Sequence, residues 1–221
     1  MYMLSKRAID IMVACSVLIL AAPLLIPLML ALRLTAEGHV FYSQQRVGYK
    51  NRSFDIWKFV TMLKDSPNLG TGSLTVKNDF RVTPVGKYLR KSKINELPQV
   101  FNVLIGNMSL VGPRPQMEVD FLKFPKHIQE VIYNVKPGIT GIGSIVFRDE
   151  EKLISSAAGD PHEFYKNHVA PYKGDLEIWY QQHLSFYTDM MLIFLTAWVI
   201  VFPESSLPFK IFKDLPPRTG A

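Results

Sequence analysis

The residues in this sequence best suited to chemistry are basic, and they gather in its central region. Arg46, Lys58, Arg81, Lys87, Arg90, Lys91, Lys93, Arg114 and Arg148 fall there. Such side chains hold phosphate or carboxylate, and arginine does so through a planar fork that meets two oxygens at once. Lys87, Arg90, Lys91 and Lys93 crowd one short segment. A solvated basic surface facing anionic lipid accounts for them, at ~1 kcal/mol per residue near such a surface. Arg114 is different. In Gly112-Pro113-Arg114-Pro115 two prolines stiffen its backbone, so the guanidinium is aimed before a ligand arrives, which favours bidentate phosphate binding.

Acidic side chains are fewer. Asp149, Glu150 and Glu151 follow Arg148 in FRDEE. They read either as a solvated loop paired with neighbouring bases or as a metal or sugar-hydroxyl site. Other chemistries lack their residues. Cys15, the single cysteine, excludes a disulfide framework or a cysteine-based metal site. There is no G-x-S-x-G for a hydrolase and no Walker A for a nucleoside triphosphatase. His162, His168 and His183 lack metal-ligand spacing and read as surface histidines. Tyr42, Trp57 and Phe59 form no base-stacking motif, and no zinc-finger or basic-zipper pattern is present, so nucleic acid is not the expected partner.

The elements that must position these residues follow from hydrophobic period. Residues 39–46 (HVFYSQQR) alternate and predict a strand, and 54–62 (FDIWKFVTM) a second one. Residues 65–74 are rich in Gly, Ser, Pro and Asn and predict a loop. Residues 84–93 predict a short basic helix opening on proline. Residues 95–105 (NELPQVFNVLI) have helical spacing, with Asn95 or Ser92 as cap and Glu96 in the first turn. A helix is expected over 116–133, a tight turn over 137–143, and mainly helix over 160–187, interrupted at Pro171. Residues 190–202 are apolar for ~13 residues, too short to span a bilayer comfortably. They suit a helix lying on the membrane surface or one packed on the core, and they offer a face for membrane contact or for a homodimer.

The bulk numbers frame this reading. In 221 residues there is room for one domain and an anchor. A net charge of +6 and a pI near 9.3 point to an anionic partner: nucleic acid, lipid headgroups or a phosphorylated small molecule. Residues 11–32 carry no charge over a stretch of ~20 residues, long enough to cross a hydrocarbon core. A signal peptide fits badly, because the apolar core is too long and lacks a small-x-small cleavage site. Pro23 and Pro27 fall near its middle, and basic residues flank both ends. Proline bends a helix and positive flanks prefer the cytoplasmic side, which leans toward a re-entrant helix broken at Pro23, although spanning helices tolerate proline too.

The runs FYSQQRVG (41–48), WKFVTM (57–62), NELPQVFNVLIGNMSLVGPRP (95–115) and KPGITG (136–141) resemble the bacterial sugar transferase family, the monotopic phosphoglycosyl transferases. The likeness extends over nearly the whole chain. It implies a small mixed α/β (α+β) domain with a re-entrant N-terminal membrane helix (1–36), a membrane-associated catalytic domain (37–221) and surface amphipathic helices, on the cytoplasmic face of a bacterial inner membrane. It implies transfer of a sugar 1-phosphate from a UDP-sugar to polyprenyl (undecaprenyl) phosphate with release of UMP, assisted by Mg2+. An adjacent Asp-Glu pair carries catalysis in such proteins, the aspartate attacking the sugar-bearing phosphate to form a covalent intermediate. Lys58, Arg114 and Arg148, with Pro113 and Pro115, match phosphate or nucleotide contacts, and Glu96 matches the second carboxylate, as metal ligand or proton handler.

Asn95 departs from that pattern, standing where the family has its aspartate. An amide is not a competent nucleophile here and offers a metal a dipole instead of a charge. Three readings follow: Glu96 or direct attack by the lipid phosphate takes over, the chain carries a substitution that holds substrate, or it is a silent member that binds nucleotide-sugar or lipid. Sugar identity has no code in the sequence; residues 65–74 and 144–160 are the loops that would carry it.

Overall fold

The computed structural model describes residues 2–35, 38–70, 75, 78–156 and 159–217. The expected boundary between anchor and domain, at residues 36 and 37, lies outside the described residues, as do residues 71–74 of the 65–74 loop. Helix α1, Tyr2–Thr35, is the one helix among the described residues long and apolar enough to cross a membrane, by length and composition. The chain stays helical through Pro23 and Pro27. Ile19, Leu20, Leu24, Ile26, Leu30 and Leu34 along it are all exposed. Ala14 and Leu32, toward either end, are not. Ala14 packs with Ile56, Val100, Val103 and Met108, while Leu32 packs with Phe59 and Leu89.

Polar fasteners reinforce the first of these seats. Asp10 Oδ1 accepts from Ser109 Oγ at 3.1 Å and from the Leu110 amide at 3.0 Å. Lys6 Nζ donates to buried Asp189 at 2.7 Å and to the Val111 carbonyl at 3.0 Å. Arg7 donates to the Val103 and Leu104 carbonyls in the last turn of the helix Gln99–Ile105. The basic residues read from sequence as membrane flanks therefore also bolt the anchor to the domain.

Strands β1, Phe41–Val47, and β2, Ser53–Phe59, form an antiparallel hairpin with Tyr42 opposite Lys58 and Arg46 opposite Phe54. Side chains alternate with period two, so Arg46 and Lys58 stand on one face. Helix α2, Pro84–Lys91, starts with Thr83 Oγ1 accepting from the Gly86 amide at 3.0 Å. The helix expected over 95–105 begins only at Gln99, as α3, Gln99–Ile105. Pro98 has no amide to donate to Ile94, so the α-helical ladder cannot extend upstream. Ile94–Glu96 forms a 3-10 turn instead, with Leu97 N bonded to the Ile94 carbonyl at 3.1 Å. Neither expected cap serves α3: Ser92 ends α2, and Asn95 lies within the 3-10 turn.

Strands β3, Ser109–Val111, and β4, Gly138–Thr140, pair in parallel, so the region expected as a turn over 137–143 contains a strand. Between them the expected 116–133 helix splits into α4, Glu118–Phe121, and α5, Lys126–Val131, because Pro125 interrupts the ladder. Helices α6, Ile142–Val146, α7, Glu150–Ser156, and α8, Pro161–Phe164, follow. A π-helical turn, Tyr165–Val169, leads into α9, Ala170–Gln182. Pro171 sits in the first turn of α9, where its missing amide costs nothing, and so does not interrupt it. Helix α10, Phe186–Val201, starts four residues earlier than the apolar run suggested because Ser185 caps it, and α11 is Leu207–Ile211.

The main core surrounds α9, where Val169, Leu176 and Tyr180 meet Ile128, Ile142, Leu192 and Leu195. Gly112 and Gly138 let β3 and β4 close on each other, since a Cβ on Gly138 would strike the Gly112 backbone. Gly138→Ala is expected to destabilise the fold by about 1–3 kcal/mol through overpacking, seen as a lower thermal midpoint of the purified protein; an unchanged midpoint would contradict this packing.

Candidate active site

A cavity of about 1010 Å³ lies against the inner face of the hairpin, the 94–96 turn, the loop after β3 and α6–α7. Its volume is at the upper end of small-molecule sites. Glu96 is the hub of the charges within it. Arg114 donates to both of its oxygens, Nη2 to Oε1 and Nη1 to Oε2 at 3.3 Å, and Lys58 Nζ lies 3.8 Å from Oε1. Burial would push the Glu96 carboxyl up. Arg114, Lys58 and Lys93 outweigh that and hold it well below the usual carboxylate range.

The cations respond to the same crowding. Burial pushes the Lys58 ammonium down to about 7; Glu96 opposes this, and Arg46 and Arg114 add to it. Burial and the neighbouring Arg114 push Arg46 down to about 10. Glu96 raises Arg114 above its ordinary value. The cluster is thus over-supplied with positive charge and has one central anion to share.

The placement of these groups is built into local structure. The hairpin's alternation presents Lys58 beside Arg46. Buried Asn102 of α3 donates to the Asp55 carbonyl at 2.7 Å and accepts from the Trp57 amide at 3.1 Å, which locks the helix that follows Glu96 to the strand carrying Lys58. The carbonyls around Arg114 are each tied down: Pro113 accepts from the Gly138 amide, Arg114 from the Tyr133 hydroxyl at 2.9 Å, and Pro115 from Arg46. The guanidinium therefore projects from a rigid loop.

Of the residues singled out from sequence, Lys58, Glu96 and Arg114 come into direct contact, and Asn95 and Arg148 line the same cavity. Asn95 is buried, and its Oδ1 has no hydrogen-bond partner. Pro113 and Pro115 are buried and act through the Arg114 backbone; neither is among the lining residues, and nor is Pro23. Lys87, Arg90, Lys91 and Lys93, expected to face lipid, also line the cavity. Arg81 is fully buried and clamps the 66–69 turn, donating to Asp79 and to the Ser66 and Leu69 carbonyls. In the acidic cluster Glu150 and Glu151 open α7 and, with Asp149, line the cavity instead of forming a solvated loop; Glu150 pairs with buried Lys173 at 2.5 Å and Glu151 with Arg90 at 2.6 Å.

Sequence reasoning included Ser144 only within the 144–160 segment, which holds part of α6 and all of α7, and missed Tyr165, Lys173 and Glu177. Burial pushes the Glu177 carboxyl up to about 7 behind the Gly141–Gly143 turn, where Lys173 and the Arg114 and Gly143 amides offset part of the cost. Helix α9 is buried on most of its surface, so no amphipathic period marks Lys173 or Glu177.

A divalent cation has a sparse donor set here. Among the described residues no three His, Cys, Asp or Glu side chains converge. Glu96 and the unpartnered Asn95 Oδ1 are the oxygens beside the cationic cluster. Mg2+ is commonly bound by one or two carboxylates together with substrate phosphates. The residues fit that pattern, provided Glu96 yields its bond to Arg114.

The profile of the bacterial sugar transferase family matches residues 1–203, and the chain belongs to this family. A UDP-N-acetylgalactosamine-undecaprenyl-phosphate N-acetylgalactosaminephosphotransferase of Aeromonas hydrophila is 36% identical over 206 residues, 90% of this chain and 44% of the relative. An undecaprenyl-phosphate glucose phosphotransferase of Komagataeibacter xylinus is 40% identical over 160 residues, 67% of this chain and 30% of the relative. An exopolysaccharide production protein ExoY of Sinorhizobium fredii is 30% identical over 207 residues, 87% of this chain and 84% of the relative. The chain spans less than half the length of the first two and most of the third.

Lys58 gives the cluster a pH signature. Burial pushes its ammonium down to about 7, so sulfate, whose own charge is constant there, should bind more weakly as pH rises through that value. Calorimetric titration at several pH values is expected to find a decline approaching tenfold per unit, absent in Lys58→Met. A pH-independent affinity in the wild-type chain would contradict the assignment.

Proposed function

We propose that this member of the bacterial sugar transferase family transfers a sugar 1-phosphate from a UDP-sugar to undecaprenyl or a related polyprenyl phosphate, releasing UMP. The observation that carries the reading is the Arg114 fork, aimed by a rigid loop and joined by Lys58 around Glu96. Such a cluster suits the charge that spreads over a pyrophosphate during displacement. The names of the relatives support it, because two of those described are undecaprenyl-phosphate phosphotransferases. They do not favour a silent binding member. Their names differ in the sugar, so the hexose is left open.

Chemistry at Asn95 sets the route. The amide cannot attack phosphorus, and Glu96 is a poor substitute, since Arg114 and Lys58 hold its charge and lower its basicity. We therefore favour direct displacement. A lipid phosphate oxygen bonds to the sugar-bearing phosphorus as the bridge to the uridine-bearing phosphorus breaks, and the bridging oxygen leaves with UMP. Arg114, Lys58 and Arg46 balance the charge of the displaced group, and Glu96 with the Asn95 Oδ1 would hold Mg2+. When bound, that ion supplies further neutralisation of the phosphates.

We also propose that α1 enters and leaves the bilayer on the cytoplasmic face of the bacterial inner membrane. Support comes from its two seats: Asp10 and Ala14 near one end, and Leu32 near the other, pack on the same domain, while Ile19, Leu20, Leu24, Ile26 and Leu30 between them are exposed. Exposed Phe194, Val201 and Phe202 of α10 and its C-terminal end suit the same lipid surface.

In a bilayer mimetic with Mg2+ and undecaprenyl phosphate, UMP release is expected from at least one of a panel of UDP-sugars. Intact-mass measurement with UDP-sugar alone is expected to give no adduct, and Asn95→Asp to gain the mass of one sugar phosphate. An adduct on the unaltered chain would refute direct displacement; UDP binding without UMP release from any sugar would refute the enzyme reading.

A further inference from the structure

Six buried side-chain atoms of the described residues have no hydrogen-bond partner. Four of them, Arg46 Nε, Asn95 Oδ1, Ser144 Oγ and Tyr165 Oη, belong to residues lining the one cavity described above. Unpartnered buried polar atoms are costly and uncommon, so four around one cavity call for a cause. The reacting position accounts for Asn95. The diphosphate chemistry uses the charge of Arg46 but gives its Nε no partner, and it uses neither Ser144 nor Tyr165.

Tyr165 is held firmly in place. It is 1% exposed, with Lys123 Nζ at 5.4 Å and Lys173 Nζ at 5.7 Å from its ring centre. Those lysines are paired with Asp120 and Glu150. Tyr165 also opens the π-helical turn, a distortion that often re-aims a side chain at a functional site. Arg46 ties this patch to the reaction, because its guanidinium interacts electrostatically with Glu96 and Arg114 on one side and with Tyr165 on the other.

We propose that Tyr165, Ser144 and Arg46 form the seat for the hexose of the nucleotide sugar, with Glu150 and Asp120 as acceptors nearby. The inference rests on the proposed transferase reading. Position favours the sugar over the uracil: the hexose hangs from the reacting phosphorus by one oxygen, whereas the base lies beyond a second phosphate and a ribose. Chemistry favours it too. Tyrosine and serine hydroxyls both donate and accept, as sugar hydroxyls do, and a site built around such bonds discriminates strongly against an analogue lacking the group. Tyr165 and Ser144 are thus specificity-determining residues.

The test uses the full chain in a bilayer mimetic, with Tyr165→Phe and Ser144→Ala. For the accepted UDP-hexose, kcat/KM should fall about tenfold in Tyr165→Phe, and its ratio to that of the C4-epimeric UDP-hexose should narrow. Inhibition by UDP, which lacks the hexose, should be unchanged in both variants. The thermal midpoint of Tyr165→Phe should not fall, since its hydroxyl bonds to nothing in the fold. A parallel loss of UDP inhibition, a lower thermal midpoint, or an unchanged kcat/KM and epimer ratio would overturn the hexose seat. Absence of UMP release by the unaltered chain from every UDP-sugar would instead overturn the transferase reading, and the seat with it.

Discussion

One carboxylate shared among several cations is the constraint on which this site depends. Arg114, Lys58 and Arg46 are brought together where water is scarce, and like charges there repel with little screening. Glu96 makes the arrangement tolerable by accepting both branches of the Arg114 fork with Lys58 alongside. The strand register, the 3-10 turn and the proline-bounded loop all deliver charges to that carboxylate. On the proposed reading, an arriving diphosphate, which carries more negative charge than Glu96, would take over its partners. The site would then exchange an internal anion for a substrate and free Glu96 to face a metal ion. Depressed basicity at Lys58 is the cost of keeping the cluster assembled before that exchange.

The same frame explains how a membrane anchor bears on chemistry at the domain surface. Asp10 binds the strand β3 through Ser109 and the Leu110 amide, and Lys6 joins the Val111 carbonyl to Asp189 of α10. Gly112 follows Val111, and Arg114 lies two residues further on. Tyr180 adds its hydroxyl to the Asp189 carboxylate at 2.8 Å, extending the network into the core. The helix seated in lipid is therefore continuous, through buried polar contacts, with the strand that aims the phosphate-binding fork. Such a connection suits the proposed reaction, in which the acceptor would stay in the bilayer while the donor comes from water.

Much of this was legible in the sequence, and the failures have physical causes. Alternation in FYSQQRV disclosed a strand, and two prolines disclosed the fixed backbone of Arg114. The chain did not disclose that Asn95 and Glu96 leave the helical ladder, because the apolar spacing after them is helical and the break comes from one missing amide, at Pro98. It overstated 116–133 for the same reason at Pro125. The basic segment 87–93 read as lipid-facing, since composition cannot tell a membrane surface from a cavity wall. Tyr165 and Ser144 carry no local motif; only the tertiary packing that leaves their hydroxyls unpartnered marks them out.

The most direct measurement of the charge exchange is calorimetric titration of UDP into the full chain in a bilayer mimetic without divalent metal, beside Arg114→Gln and Glu96→Gln. Arg114→Gln should weaken binding at least tenfold, by loss of a charge-assisted pair of bonds. Glu96→Gln should tighten it, because the internal competitor for Arg114 and Lys58 is gone. Wild-type affinity in Arg114→Gln, or weaker binding in Glu96→Gln, would contradict the account.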